Sequence, residues 1–333
     1  MRVQVLNTGG TVSSTPAATG ATTTFDPGGL LTDNTSVSYE EVFRKWSVNL
    51  EPSDWQVLAR AVHEAIAAGA DGIVVLHGTD TMSYTAAALS FMLPDPSVPV
   101  VLTGSMRPGG APDSDAASNL RDAVTVAASD LAEVCVCFSG DPAGATGVVL
   151  RGNRARKAHT ARLDAFESPA YPALGVVDGP LVRLDQGTHR PATPGASPRL
   201  ELDVEPNVSL IHYHPGCSAR FVAAALAEAD GAVIIGTGAG RLPTEGGVLD
   251  AIRESGKPCV LVSATWAPGG ELGGYDLDRE LLAVENLVDG LDLTPEAALA
   301  KLMWVLATNR SIDHVRAAIQ QPLAGELTAK ESP

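Results

Sequence analysis

A chain of 333 residues is long enough for one large or two ordinary domains, each with its own core. Hydrophobic residues make up 45% and aromatics only 5%, so that core has to be built from Val, Leu, Ile and Ala. The formal charge of -16 repels phosphate backbones and anionic lipid, which argues against nucleic acid or a membrane as partner.

The first apolar run, Val3 to Leu6, reads as a strand ended by the turn Thr8-Gly9-Gly10-Thr11. No basic, apolar or cleavage region precedes it, and no apolar run approaches the roughly 18 residues of a membrane span, so a cytoplasmic protein is expected. Ser53 looks like the N-cap of a helix whose Trp55, Leu58, Ala59, Val62 and Ile66 recur at helical spacing until Gly69. Ile73 to Leu76 is a buried strand, followed by His77-Gly78-Thr79-Asp80 and a helix from about Thr81 to Leu93. Val98 to Leu102 is the next strand and runs into Thr103-Gly104-Ser105. Asp115 to Ser129 then reads as a helix and Val134 to Phe138 as a strand.

This rhythm predicts a parallel, doubly wound α/β sheet. Residues 188–199 carry three prolines and no large apolar residue, a linker composition. Beyond it come strands at Val208 to Tyr213, Ala232 to Ile235 and Cys259 to Val262, with helices over 219–229 and 244–255. A last helix is capped by Thr294, has Pro295 at its first position and runs through Leu306. The expected organisation is a larger catalytic α/β domain over 1–187, a linker over 188–204 and a smaller α/β domain over 205–333. Cys135 and Cys137 alternate on one face of their strand, too far apart for a relaxed disulfide. With Cys217 and Cys259 they read as thiols of a reducing compartment.

Open parallel sheets bind ligands beyond the carboxyl ends of their strands. Three successive strand ends here carry small polar turns, and together they make a coherent pocket. Glycine lets backbone approach a ligand, threonine supplies hydroxyls and Asp80 a charge. A threonine nucleophile needs a base. Lys157, within Arg151-Gly-Asn-Arg-Ala-Arg-Lys-Ala-His-Thr160, has cationic neighbours that would favour its neutral amine. The alternative for that segment is an exposed basic loop.

Other polar residues read as structural. Thr8 pairs within its own turn, His77 packs at a strand end, and Asp115 and Asn119 cap or anchor the following helix. His212 and His214 share a strand face but lack a third ligand, so no metal is expected. Gly236-Thr-Gly-Ala-Gly240 lacks the third glycine of a dinucleotide fingerprint, so no cofactor is expected either.

Thr8-Gly-Gly-Thr11, His77-Gly-Thr-Asp-Thr-Met82 and Thr103-Gly-Ser-Met-Arg-Pro108 closely resemble the signatures of bacterial-type L-asparaginases. Gly152-Asn153-Arg154 with Lys157, Ala165-Phe166, Ser168-Pro169 and Leu293-Thr-Pro-Glu-Ala-Ala-Leu299 fit the same family, in one order over nearly the whole chain. The resemblance implies Thr11 as nucleophile and Thr79 as second catalytic threonine, with Lys157 and Asp80 completing its triad. It implies that Asp80 holds the substrate α-ammonium, Ser47 the α-carboxylate, and the Ser105 carbonyl the scissile amide. Gly78 and Val48 complete the substrate-binding set, Val48 standing where the family usually has glutamine. The Thr79 amide would stabilise the oxyanion.

The implied substrate is asparagine, and the implied assembly is a homodimer or homotetramer. Residues 12–29, the family's lid, contain no tyrosine and only Phe25 as aromatic. Ala239 stands where many members have a partner-donated asparagine, and Glu271 is the candidate for the glutamate given in trans. Two alternatives stay open. One is a non-catalytic amino-acid sensor. The other is a tRNA-dependent amidotransferase subunit, a role that normally adds a domain ahead of the first strand, where only seven residues precede Thr8.

Overall fold

A computed structural model describes residues 1–17, 20–22, 24–30, 36–185, 187–192, 198–267 and 272–328. They form two compact units, Met1–Leu202 and Asp203–Pro333.

The first unit runs β1 (Arg2–Gly9), β2 (Thr15–Ala17), β3 (Gly20–Thr22), β4 (Ser36–Lys45), α1 (Pro52–Ala67), β5 (Gly72–Leu76), α2 (Met82–Met92) and β6 (Val100–Thr103). It continues through α3 (Ala116–Ala127), β7 (Val134–Ser139), β8 (Gly147–Arg151), β9 (Arg156–Lys157), β10 (Phe166–Glu167), β11 (Gly175–Asp178) and β12 (Leu181–Leu184). Eight strands form one sheet in the order β12-β11-β8-β7-β6-β5-β1-β4. From β4 to β7 the pairing is parallel, so the fold class is the doubly wound α/β sheet expected.

The far edge departs from an all-parallel sheet: β8, β11 and β12 pair antiparallel. Only residues 140–146 separate β7 from β8, too few for a crossover helix, and Gly179-Pro180 closes β11 on β12 as a hairpin, with Gly179 at φ 58°.

The helix expected at Ser53 begins at Pro52 instead. Its N-cap is Glu51, in a capping box with Asp54, and proline occupies the first helical position, where its missing N–H costs nothing. Leu58, Ala59 and Val62 are buried, and Trp55 Nε1 donates to Thr85 Oγ1 at 3.1 Å, joining α1 to α2. On the other side α3 buries Ala116, Leu120, Ala123 and Val126 against Val5, Val74, Val101, Cys135 and Cys137. Each large aliphatic in that layer is worth about 2 kcal/mol of transfer free energy. The two cysteines do share a face.

The second unit contains β13 (Val208–His212), α4 (Ala219–Glu228), β14 (Gly231–Gly236), α5 (Val248–Ser255), β15 (Cys259–Ser263), α6 (Asp276–Leu282), β16 (Leu287–Asp289), α7 (Pro295–Thr308) and α8 (Ile312–Gln320). Its four strands are parallel in sequence order. Thr294 caps α7 by accepting from Ala297 N–H at 3.1 Å, as its sequence indicates. Inside α7, Lys301 is wholly buried with Glu326, Nζ to Oε1 2.6 Å. Lys301 Nζ also donates to the carbonyls of Ile319 and Gln321, at 2.9 and 2.7 Å. Among the described residues no helix is long and apolar enough to cross a membrane.

Candidate active site

The chain begins the sheet at β1, adds β4 on one side and then β5 on the other, so strand order reverses between β1 and β5. Open α/β sheets hold ligands beyond the carboxyl ends of their strands at such a point, and the turns Thr8–Thr11 and His77–Thr81 stand there at the ends of β1 and β5. Gly9 and Gly10 take φ of 100° and 82°, conformations that a side chain disfavours. A Cβ on Gly10 would collide with Gly78, and one on Gly78 would lie 2.6 Å from Ser47 Oγ. Gly10 and Gly78 therefore meet backbone to backbone, and the Ser47 side chain packs directly on Gly78. Thr81 Oγ1 donates to the Ser47 carbonyl at 2.8 Å and ties that loop in place. Asn7 Oδ1 accepts from Gly9 N–H at 3.2 Å and Ser13 Oγ at 2.8 Å, bracketing the turn that carries Thr11.

Lys157 comes from the short strand β9, held opposite Phe166 of β10. Its Nζ donates to Thr79 Oγ1 at 2.8 Å and to Asp80 Oδ1 at 2.6 Å. Thr79 is 5% exposed, whereas the Asp80 side chain is 60% exposed, so the triad is open on the carboxylate side. Ser47 is buried and Val48 is 65% exposed. Ser105 is wholly buried, and its Oγ donates to the Arg107 carbonyl at 2.6 Å. Phe25 rests on Gly109 and Gly110, its N–H donating to the Ser13 carbonyl at 3.1 Å.

Several structural readings are corrected. Thr8 Oγ1 donates not within its own turn but to the Leu76 carbonyl of β5, at 2.8 Å. Arg151 and Arg154 are buried, so the basic segment is not an exposed loop. Arg151 pairs with Glu133 through Nε at 2.6 Å and Nη2 at 3.0 Å, and both arginines stack on Tyr171 at 4.8 Å. A buried guanidinium has to be paired, and Arg151 is therefore already neutralised rather than lending its charge to Lys157. Asp115 makes no side-chain cap on α3 but anchors it, accepting from Asn119 Nδ2 at 3.0 Å. Its carboxylate also accepts from Met106 and Arg107 N–H, clamping the turn after β6.

In the second unit His212 and His214 are both exposed, and among the described residues no cluster of three metal-ligating side chains occurs. The Gly236–Gly240 turn closes on itself: Thr237 and Arg241 exchange backbone bonds at 2.9 and 2.7 Å, and Ala239 lies inside it. Glu271 lies outside the described residues.

His77 is wholly buried. Its Nδ1 lies 2.7 Å from the Gly78 carbonyl and donates to it, and burial pushes the imidazole down to about 4 from 6.5. Because the folded value lies below the unfolded one, the native state refuses a proton that the unfolded chain accepts. The resulting stability is complete above pH 6.5 and is lost as pH falls toward 4. The loss amounts to about 3 kcal/mol. Urea unfolding at pH 7 and near pH 4.5 should show a steeper acid loss than in the His77→Asn variant; parallel losses would contradict this.

Residues 2–190 match the family "Asparaginase, N-terminal" and residues 207–319 the "Glutaminase/Asparaginase C-terminal domain". The chain is 35% identical over 338 residues to an L-asparaginase from Thermococcus kodakarensis, covering 98% of this chain and 99% of that one. The solved structure of the thermostable L-asparaginase from that organism superimposes with a TM-score of 0.90 at 34% identity, over 99% of this chain and all of the other. The chain is also 39% identical to a component of the glutamyl-tRNA(Gln) amidotransferase of Halobacterium salinarum, over 99% of this chain and 80% of that one. With two paired family matches and a threonine–lysine–aspartate cluster at the switch point, the chain belongs to the asparaginase family of amidohydrolases.

Proposed function

We propose that the protein is an L-asparaginase, hydrolysing L-asparagine to L-aspartate and ammonia through a threonine acyl ester. One observation carries the reading: a single amine lies within hydrogen-bond reach of both a buried threonine hydroxyl and an open carboxylate. Thr11 Oγ attacks the side-chain amide carbon, and its proton passes to the Thr79–Lys157 pair. The oxyanion that forms meets the Thr79 N–H, a type of contact worth roughly 3 kcal/mol. Collapse breaks the C–N bond, the nitrogen takes the proton and leaves as ammonia, and Thr11 keeps the β-aspartyl group as an ester. Water, deprotonated through Thr79 and Lys157, then splits the ester.

Asp80 serves two nitrogen groups in this scheme, the Lys157 amine, which is neutral when it takes up the Thr11 proton, and the substrate α-ammonium. The substrate α-ammonium draws on the carboxylate that otherwise binds Lys157, so substrate arrival itself loosens the hold on the lysine. Ser47 and the backbone at Gly78 receive the α-carboxylate end, and the Ser105 carbonyl accepts from the scissile amide. The active form is a cytoplasmic homodimer or homotetramer.

Ammonia release measured across L-Asn, D-Asn, L-Gln and a β-aspartyl peptide tests the reading. Turnover should be highest on L-Asn, by a species that light scattering sizes as a dimer or tetramer. No release from any of the four would leave an amino-acid sensor as the better account.

The 39% identity to an amidotransferase component favours a second reading, supply of ammonia to a partner enzyme acting on glutamyl-tRNA. The charge of -16 opposes direct contact with tRNA phosphates. Steady turnover by the chain alone supports the first reading; turnover that requires a second protein supports the other.

A further inference from the structure

Asp115 is not itself a reacting group, but it holds Met106 N–H, in the same peptide unit as the Ser105 carbonyl, and a line of short contacts leads from it to Thr11. Its carboxylate is 5% exposed and accepts from Met106 N–H at 3.1 and 2.9 Å, from Arg107 N–H at 2.9 Å and from Asn119 Nδ2 at 3.0 Å. Asn119 Nδ2 also donates to the Gly104 carbonyl at 3.0 Å. Ser105 Oγ and Ser114 Oγ converge on the Arg107 carbonyl at 2.6 and 3.2 Å. A buried carboxylate ringed by N–H donors makes strong, directional bonds, so the turn from Gly104 to Pro108 is anchored at its base.

That turn ends in Gly109-Gly110. Gly109 N–H donates to the Thr11 carbonyl and Gly110 N–H to the Ser14 carbonyl, both at 3.0 Å. At Gly109 a side chain does not fit this contact, and at Gly110 it would be tight. A Cβ on Gly109 would strike the Val12 carbonyl and stand 2.7 Å from Phe25 Cδ1, and one on Gly110 would stand 3.1 Å from Thr15 Oγ1. The two glycines form a shelf on which the backbone of the Thr11 loop lies.

We propose that Asp115 is a positioning residue that fixes the Gly109–Gly110 shelf and, through it, the placement of Thr11 against Thr79 and Lys157. The inference rests on the reading of Thr11 as nucleophile. Ser47 and Asp80 hang from other turns, so the placement of Thr11 and the affinity for a ligand's α-groups are separable.

Asp115→Asn keeps one accepting oxygen but replaces the other, each of which accepts from backbone N–H, with an NH2 that can only donate. Gly109→Ala disturbs the same contact from the other end with Asp115 intact. In each variant, kcat on L-asparagine should fall roughly 10- to 100-fold, with KM and the calorimetric Kd for L-aspartate within about threefold of the unmodified protein. If Asp115→Asn does not fold, Gly109→Ala alone decides. Loss of aspartate binding in step with kcat would mean a general structural role and would overturn the assignment, as would unchanged kcat in a folded variant. Full activity in Thr11→Ala would remove the nucleophile reading and this inference together. An inactive Thr11→Ala beside a fully active Asp115→Asn removes this inference alone.

Discussion

Lys157→Met, Thr79→Val and Thr11→Ala are each expected to lower turnover of L-asparagine by roughly a thousandfold or more. Lys157 is the only amine joined to both Thr79 and Asp80 among the described contacts, and methionine keeps its length while removing every proton-transfer function. The fold should barely register these changes. The Lys157–Asp80 pair has side chains 20% and 60% exposed, and such pairs contribute at most about 1 kcal/mol. Valine matches the shape of threonine at the buried position 79. Circular dichroism and melting should therefore coincide with the unmodified protein while ammonia release collapses. Full activity in any one variant removes that residue from the mechanism.

The largest effect on stability is expected far from the chemistry. Lys301 and Glu326 are wholly buried, and burial pushes the lysine pKa down while the Glu326 charge opposes the shift. Glu326 also accepts from Leu323 N–H at 3.0 Å and Ala324 N–H at 2.7 Å, so the pair ties α7 to the chain beyond α8. Glu326→Ala leaves an ammonium in the interior with only carbonyls for company. Removing one partner of a buried pair costs about 3–5 kcal/mol. The double variant Lys301→Met with Glu326→Gln should cost clearly less than the two single changes added together, because no uncompensated charge remains. Urea unfolding of Glu326→Ala, of Lys301→Met and Glu326→Gln singly, and of the double variant checks this; a midpoint unmoved in Glu326→Ala would refute it.

The alternation of short apolar runs with helical patterns makes most of the parallel half of the first sheet legible, but not β4, on which the switch point depends. The three strand-end turns carry their meaning in composition, because glycine and threonine clustered after buried strands have few other uses. Lys157 is legible through resemblance rather than spacing: its partners are remote in sequence, and nothing local marks it. Arg151, one of the arginines near it in sequence, is neutralised by Glu133, which lies just before β7 and is remote in sequence. The β8, β11 and β12 strands are hard to read since runs such as Gly147–Arg151 are too short to show a period. Asp115 resembles a helix cap because aspartate before a helix usually is one. Only the fold shows its carboxylate turned toward the preceding turn.

The Lys157 contact with Thr79 bridges 78 positions of chain, and Ser47 meets Thr81 across 34. In folding terms the catalytic groups have high contact order, so they come together only after the sheet has taken its register and its loop-closure entropy has been overcome. The amine itself is carried on a two-residue strand with a two-residue partner. Fraying of that small ladder separates Lys157 from Thr79 while the eight-stranded sheet stays intact. Ammonia release is therefore expected to fall on heating before the global melting temperature is reached, through local opening of this ladder.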